Sequence, residues 1–245
     1  MLLSTQGLVL HTTKYSETSI IAKVFTRQLG LKSYIIKGVR SNNGRTKQNL
    51  FQTLSYLDMV VYNNPKTNIN YIKELRVAEH FNSIQTDNSR MAVVFFMNEL
   101  LYKSLQEEEP NEHLFDYVVE TLRKVNLPQV SLAPMPIQYM LRTASYLGIE
   151  PMNNYSSREP YFNLKEGRFL SHPSPMNPDG QFYLSADESI QLHDYLQSIE
   201  NKTDSPTLPR SSRTHLINTL IDYYQTHLTS FANFKSHEIL HSVLD

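Results

Sequence analysis

The sequence predicts an α+β chain in two parts: a small closed barrel of five strands over residues 1–77, then a helical domain over residues 78–245. Three observations predict it. Five runs of strand composition crowd the first 77 residues. Apolar stripes at helical spacing dominate the rest of the chain. The charge divides at the same place.

The strands come first. Gly7 to Thr13 is β-branched and apolar. Thr18 to Thr26 alternates Ile20, Ala22 and Val24 against Ile21, Lys23 and Phe25. Leu31 to Val39 alternates Leu31, Ser33 and Ile35 against Lys32, Tyr34 and Ile36. Leu54 to Tyr62 and Asn70 to Val77 complete the set. Tyr15-Ser16-Glu17, Gln28-Leu29-Gly30, the polar stretch Arg40 to Asn49 and Asn63-Asn64-Pro65 separate them. Closure into a barrel removes the edges that five short strands in an open sheet would expose.

The helices come next. Val94, Met97, Leu101 and Leu105 make one stripe within Met91 to Leu105. Leu114, Phe115, Val118 and Leu122 make a second. Ile137, Met140, Leu141, Ala144 and Leu147 make a third, with Pro134 and Pro136 near its start and Gly148 after it. Leu216, Ile217, Leu220 and Ile221 make a fourth. Periodicity fails over residues 151–184, a small irregular insertion with short strands expected at Tyr161 to Leu164 and Arg168 to Leu170. Asn201 to Pro209 reads as a linker.

Composition excludes several classes. The chain is 40% hydrophobic and 19% charged, which excludes a disordered tail and a coiled coil. It has no cysteine, so no disulfide, no Cys-ligated zinc and no thiol nucleophile. The longest apolar run, Met91 to Met97, is far short of the ~20 residues that span a bilayer. No export signal is expected. Seven glycines, where average usage would give roughly 17, make a phosphate-cradling loop improbable.

The net charge of −1 conceals a gradient. Up to Arg76, eleven basic residues face only Glu17, Asp58 and Glu74; from Thr18 to Leu57 there is no carboxylate. The remainder is strongly acidic. Inert surfaces interleave their charges, so a basic end of this kind points to a polyanion partner.

Four string matches are set aside. His237-Glu-Ile-Leu-His241 fits a zinc-protease helix, but no third ligand follows within its last four residues, and Ile239, Leu240, Val243 and Leu244 read as packing residues. Gly38 to Thr46 has five residues between its glycines and Arg45 in place of lysine, the wrong spacing for a phosphate loop. Asn154-Tyr-Ser and Asn201-Lys-Thr match a glycosylation acceptor, which carries no meaning without export.

The basic end interleaves cations with aromatics: Lys14-Tyr15, Lys23-x-Phe25-x-Arg27 and Lys32-x-Tyr34. Single-stranded nucleic acid wants this mixture, ammonium and guanidinium groups for phosphates and flat rings for unstacked bases. The competing role for Phe25 and Tyr34 is barrel core. Lys37, Arg40, Arg45 and Lys47 crowd around one loop.

Gly7-Leu-Val-Leu-His-Thr-Thr-Lys-Tyr-Ser-Glu-Thr-Ser, Phe25-Thr-Arg-Gln-Leu-Gly30 and Tyr34-Ile-Ile-Lys-Gly-Val-Arg40 resemble, in order and spacing, the start of the RecO family of recombination mediators. The layout of the whole chain fits the same family. The resemblance implies an N-terminal OB-fold and a C-terminal helical domain. It implies a bacterial cytoplasmic DNA repair protein of the RecF pathway, nucleoid-associated when acting. Such a protein is not an enzyme and needs no cofactor. It binds single- and double-stranded DNA, anneals complementary strands and helps load RecA on coated strands. Its partners are RecR and the C-terminal tail of the single-stranded-DNA-binding protein, with no membrane. On this chain the DNA contacts would be Lys14, Tyr15, Arg27, Lys32, Tyr34, Lys37, Arg40, Arg45 and Lys47, and the tail would meet Tyr139 and Arg142.

One departure stands out. Many members carry a four-cysteine zinc module after the central helix, whereas residues 151–184 have no cysteine. The insertion is expected to be held instead by Tyr155, Tyr161, Phe162, Phe169, Phe182 and Tyr183. The alternative function is a protein-interaction adaptor whose basic barrel docks an acidic partner rather than DNA.

Overall fold

The computed structural model describes residues 1–39, 50–64, 66–105, 109–172 and 182–244. They form two compact units, Met1–Val130 and Ser131–Asp245.

In the first unit five strands close a barrel: β1 (Leu2–Lys14), β2 (Ile20–Thr26), β3 (Gly30–Ile36), β4 (Tyr56–Tyr62) and β5 (Ile69–Glu79), in the order β1-β2-β3-β5-β4. This is the OB-fold the resemblance implies. β3 and β5 pair in parallel and the other neighbours are antiparallel. β1 begins five residues earlier than its apolar run, because closure makes it serve two neighbours. Leu2 to Leu8 pairs with β4, and Gly7 to Lys14 with β2, across a register shift between Val9 and His11. The wall is tight at Gly7. A Cβ there would stand 2.6 Å from both Met59 Cε and Val24 Cγ1, so no larger residue fits without repacking. The inward row Val9, Ile20, Ala22, Val24, Tyr34 and Ile36 meets Leu57, Met59 and Val61 in the core. The Gln28-Leu29-Gly30 turn is fastened by buried Thr26, whose hydroxyl donates to Gly30 O at 2.7 Å and accepts from Leu29 N at 3.1 Å.

Among the described residues three helices complete this unit: α1 (Asn82–Thr86), α2 (Asn88–Ser104) and α3 (Glu112–Asn126). The expected stripes are buried, Val94, Met97 and Leu101 on α2 and Leu114, Phe115, Val118 and Leu122 on α3, except that Leu105 lies just past the end of α2 and is half-buried. Phe115 lies 5.5 Å from Phe25 and 6.1 Å from Tyr56, ring centre to ring centre, so Phe25 is outward on the barrel yet covered. Asp87 caps α2 by accepting from Ser89 N and Arg90 N. Arg90 is almost wholly buried. Its guanidinium donates to the carbonyls of Val125, Leu127 and Pro128, at and just past the end of α3.

The second unit contains α4 (Met135–Tyr146), the hairpin β6 (Tyr161–Asn163) and β7 (Arg168–Leu170), then α5 (Ala186–Asn201), α6 (Arg210–His227) and α7 (Ser236–Val243). Pro136 stands in the first turn of α4, where its missing N–H costs nothing. Gly148, at φ +73°, stops the helix while Ile149 N donates back to Ala144 O at 3.0 Å. α5 was not apparent from periodicity. Its inner face includes the small polar residues Ser189 and Ser198, and Ile190 points outward. Its sequence signal is a capping box: Ser185 accepts from Glu188 N, and the Glu188 carboxylate accepts from Ser185 N at 2.8 Å.

The cysteine-free insertion is held by aromatics, as expected, and also by amides. Phe162 and Phe169 are fully buried, 5.0 Å apart, and Tyr155 stacks on His193 at 4.6 Å. Tyr161, Phe182 and Tyr183 are half-buried. Asn154 pairs with Phe169 as a strand would, donating to its carbonyl and accepting from its N–H, both at 2.9 Å. Asn163 Oδ1 accepts from Lys165 N and Glu166 N to close the hairpin turn. The Ser189 hydroxyl accepts from Phe162 N at 2.9 Å. These residues do not fit a zinc ion: thiolates are absent from the chain, and no group of three or more metal-ligating side chains converges among the described residues.

At the C-terminus His237 and His241 share α7 with ring centres 5.7 Å apart. Leu240 between them is buried, while Ile239 is exposed rather than packed.

Candidate nucleic-acid interface

The sequence-predicted residues separate once folded. Lys14 ends β1 and Tyr15 opens the following turn, where its N–H donates to Ser19 O at 3.0 Å. Both side chains are exposed. Lys37, just after β3, is exposed and extends its ammonium to 5.6 Å from the ring centre of Tyr71. These three remain available to a ligand. Arg40, Arg45 and Lys47 lie outside the described residues.

Tyr34, Arg27 and Tyr139 need correction, and Lys32 and Arg142 are half-buried. Tyr34 is only 1% exposed, in the inward row, and burial pushes its phenol well above the usual range; it is core and cannot stack on a base. Lys32 lies opposite Val24 in that same row and is half-buried. Arg27 is committed to structure. Its Nε and Nη2 donate to the two oxygens of Asp116 at 2.8 and 2.9 Å, and its Nη1 lies 2.7 Å from Glu112 Oε2. The bidentate bond holds the Asp116 carboxyl below its usual range and Arg27 above its own. Tyr139 is 0% exposed. Its place at the partner-tail site is therefore taken by core packing, and half-buried Arg142 donates to Ile199 O at 3.0 Å.

Other residues enter that were not among the assigned contacts. Lys23, outward on β2, holds its ammonium 5.5 Å from the Tyr102 ring centre, and the His11 ring stacks on Tyr102 at 5.1 Å. His11 and Lys23 are cross-strand partners. Tyr62 and Tyr71, at the ends of adjacent strands, are also exposed. Alternation could have placed Tyr62 and Tyr71 outward. Their neighbour relation needed the register.

The first unit thus holds ammonium groups over flat rings at two places, Lys23 over Tyr102 of α2 and Lys37 over Tyr71, with Lys14 and Tyr15 exposed at a third. Carboxylates on the outer wall are engaged. Asp58 pairs with Arg76 at 3.0 Å, and Glu74 with Lys73 at 3.4 Å. The arrangement can neutralise phosphates and stack bases without any bond being made or broken.

Comparison with known proteins points to one family. Residues 1–81 match the family described as Recombination protein O N terminal, and residues 85–237 match Recombination protein O C terminal. A Flavobacterium johnsoniae protein named DNA repair protein RecO is 32% identical over 99% of both chains. Its namesake from Bacteroides fragilis is 28% identical over 100% of both, and that from Flavobacterium psychrophilum 30% identical over 99% of both. No helix among the described residues is long and apolar enough to cross a membrane. With an OB-fold barrel, a helical remainder and full-length relatives all named for one role, this chain belongs to the RecO family of DNA repair proteins.

Proposed function

We propose that the protein is a non-enzymatic mediator that binds single- and double-stranded DNA through its barrel and anneals complementary strands in the bacterial cytoplasm. With RecR and the tail of the single-stranded-DNA-binding protein as partners, it would help load RecA on coated strands. The observation that carries this reading is the exposed pairing of cations with rings on a barrel whose stretch from Thr18 to Leu57 has no carboxylate. Annealing then needs no chemistry. Cations on one surface lower the repulsion between two strands, and base pairing supplies the free energy.

Fluorescence anisotropy of a labelled single strand across salt tests it. About five neutralised phosphates make affinity fall roughly 100-fold between about 50 and 200 mM salt. A Lys14→Glu/Lys37→Glu protein should bind weakly and with a flatter salt response. A flat response in the intact protein would overturn the reading and favour docking of an acidic protein partner.

A further inference from the structure

One register row runs once round the outside of the barrel. Leu2 on β1 lies opposite Tyr62 on β4, and Tyr62 opposite Tyr71 on β5. Tyr71 lies opposite Ile35 on β3, Ile35 opposite Ile21 on β2, and Ile21 opposite Thr13, back on β1. The row leaves β1 at one end and returns at the other, the stagger that a closed barrel requires. It carries no charge. Its β1–β4–β5 arc is bare: Leu2 is 46%, Tyr62 47% and Tyr71 50% exposed. Three adjacent large apolar side chains on an outer sheet face cost solubility unless something uses them.

We infer that this belt is a base-stacking platform that makes the barrel prefer single-stranded over duplex nucleic acid, with Tyr62 and Tyr71 as its two stacking rings. The inference rests on the DNA-binding reading above. Tyr62 and Tyr71 occupy directly opposed positions on neighbouring strands, whose backbones run ~4.8 Å apart, so both rings project from the same outer face. Flat bases fit such a pair, since every base has a π-face, and a duplex hides those faces. The cations sit at the edge of the belt rather than on it. Lys37 lies over Tyr71, and exposed Lys66 lies in the turn joining Tyr62 to Ile69. That turn is fixed by buried Asn70, whose Oδ1 accepts from Asn64 N at 2.9 Å. Bases on the belt thus leave their phosphates toward Lys37 and Lys66. An acidic peptide would need cations spaced along the row itself, and the row has none.

The test measures binding of a labelled oligothymidylate and of a duplex of equal length, at roughly 50 and 200 mM salt. Tyr62→Ala, Tyr71→Ala, Tyr62→Phe and Tyr71→Phe are compared with the intact chain. Circular dichroism melting checks that each exposed-site variant is folded. Each alanine should weaken single-strand binding by about 5- to 150-fold. Duplex affinity and the salt slope should stay where they were, and each phenylalanine should restore binding. Crosslinking to a bromouracil strand should map to Tyr62 or Tyr71.

Alanine variants that bind the single strand normally, while the intact chain shows its steep salt response, overturn the platform and leave the DNA reading standing. So does an equal loss for single strand and duplex. If alanine variants keep DNA binding but lose an acidic peptide that the intact chain binds, the belt is a protein-docking face instead. If the intact chain binds neither nucleic acid, the DNA reading fails and the platform falls with it.

Discussion

The two units achieve stability by different means, and the contrast shows what kind of information each stores. In Met1–Val130 the barrel is specified by alternation. Inward and outward residues take turns along each strand, and closure converts that pattern into a core and a wall. In Ser131–Asp245 the hairpin has only three residues per strand, too few for alternation to specify anything. There the backbone is held by side chains that imitate it, Asn154 on Phe169 and Asn163 on its own turn. A pattern tolerates substitution at many positions, and a mimic fails at one.

Four substitutions sharpen the contrast. Phe169→Ala removes a fully buried ring that touches Phe162 and Tyr155, so about 3–5 kcal/mol should be lost in urea unfolding. The loss should appear first as hydrogen exchange in residues 154–170. A uniform loss across both units would break the claim that the hairpin is a local structure. Arg90→Ala should come next. It takes its donor from the Val125 and Pro128 carbonyls, while Leu127 O keeps Val130 N, at a cost of about 2–4 kcal/mol. Protection should fall in α2 and α3 while β1 to β5 retain theirs. Loss of barrel protection to the same degree would mean the wall does not stand by itself. Asn154→Ala should cost about 1–3 kcal/mol through an unpaired Phe169 N–H and carbonyl. Asn154→Asp should recover only the accepting half.

The smallest effect is in pH. Burial first, then His237 and Arg210, holds the His241 imidazole below its ordinary 6.5. The unfolded chain therefore takes up its proton first, and stability falls as pH drops from about 6.5 through the lower folded value. In the first unit Asp116 is held low by Arg27, so its contribution is present at neutral pH. It fades only as pH falls below the ordinary carboxylate range, with a modest size because both side chains are partly exposed. Acidification should thus loosen α7 before it touches the Arg27–Asp116 link, as read by hydrogen exchange at pH 7, 5.5 and 3.5. His241→Gln should remove the first step and Asp116→Asn the second. Asp222 works against the trend in the second unit, since burial raises its pKa and its protonation favours the fold.

Part of the candidate interface is legible as exposed residues in the sequence, and the exceptions have physical causes. Lys14, Tyr15 and Lys37 lie at strand ends or turns, where a cation or ring has nowhere to go but outward. Tyr34 was ambiguous because its strand alternates two apolar sets, and only the pairing of β3 with β2 and β5 decides which faces in. Arg27 reads as a free cation in a basic window. The carboxylates that claim it, Glu112 and Asp116, are almost ninety residues away in the chain. Tyr139 has the polar tip of a surface residue and the packing of a core one.

What the sequence determined by itself was local: five strands, the main helical stripes, the basic end and the absence of thiols, since period, charge and residue chemistry act over a few neighbours. The tertiary structure alone decided which cations are spent on ion pairs, which rings face water, and that Leu2, Tyr62 and Tyr71 stand side by side. Those depend on register between strands that lie far apart in the chain, and register is fixed only when the barrel closes.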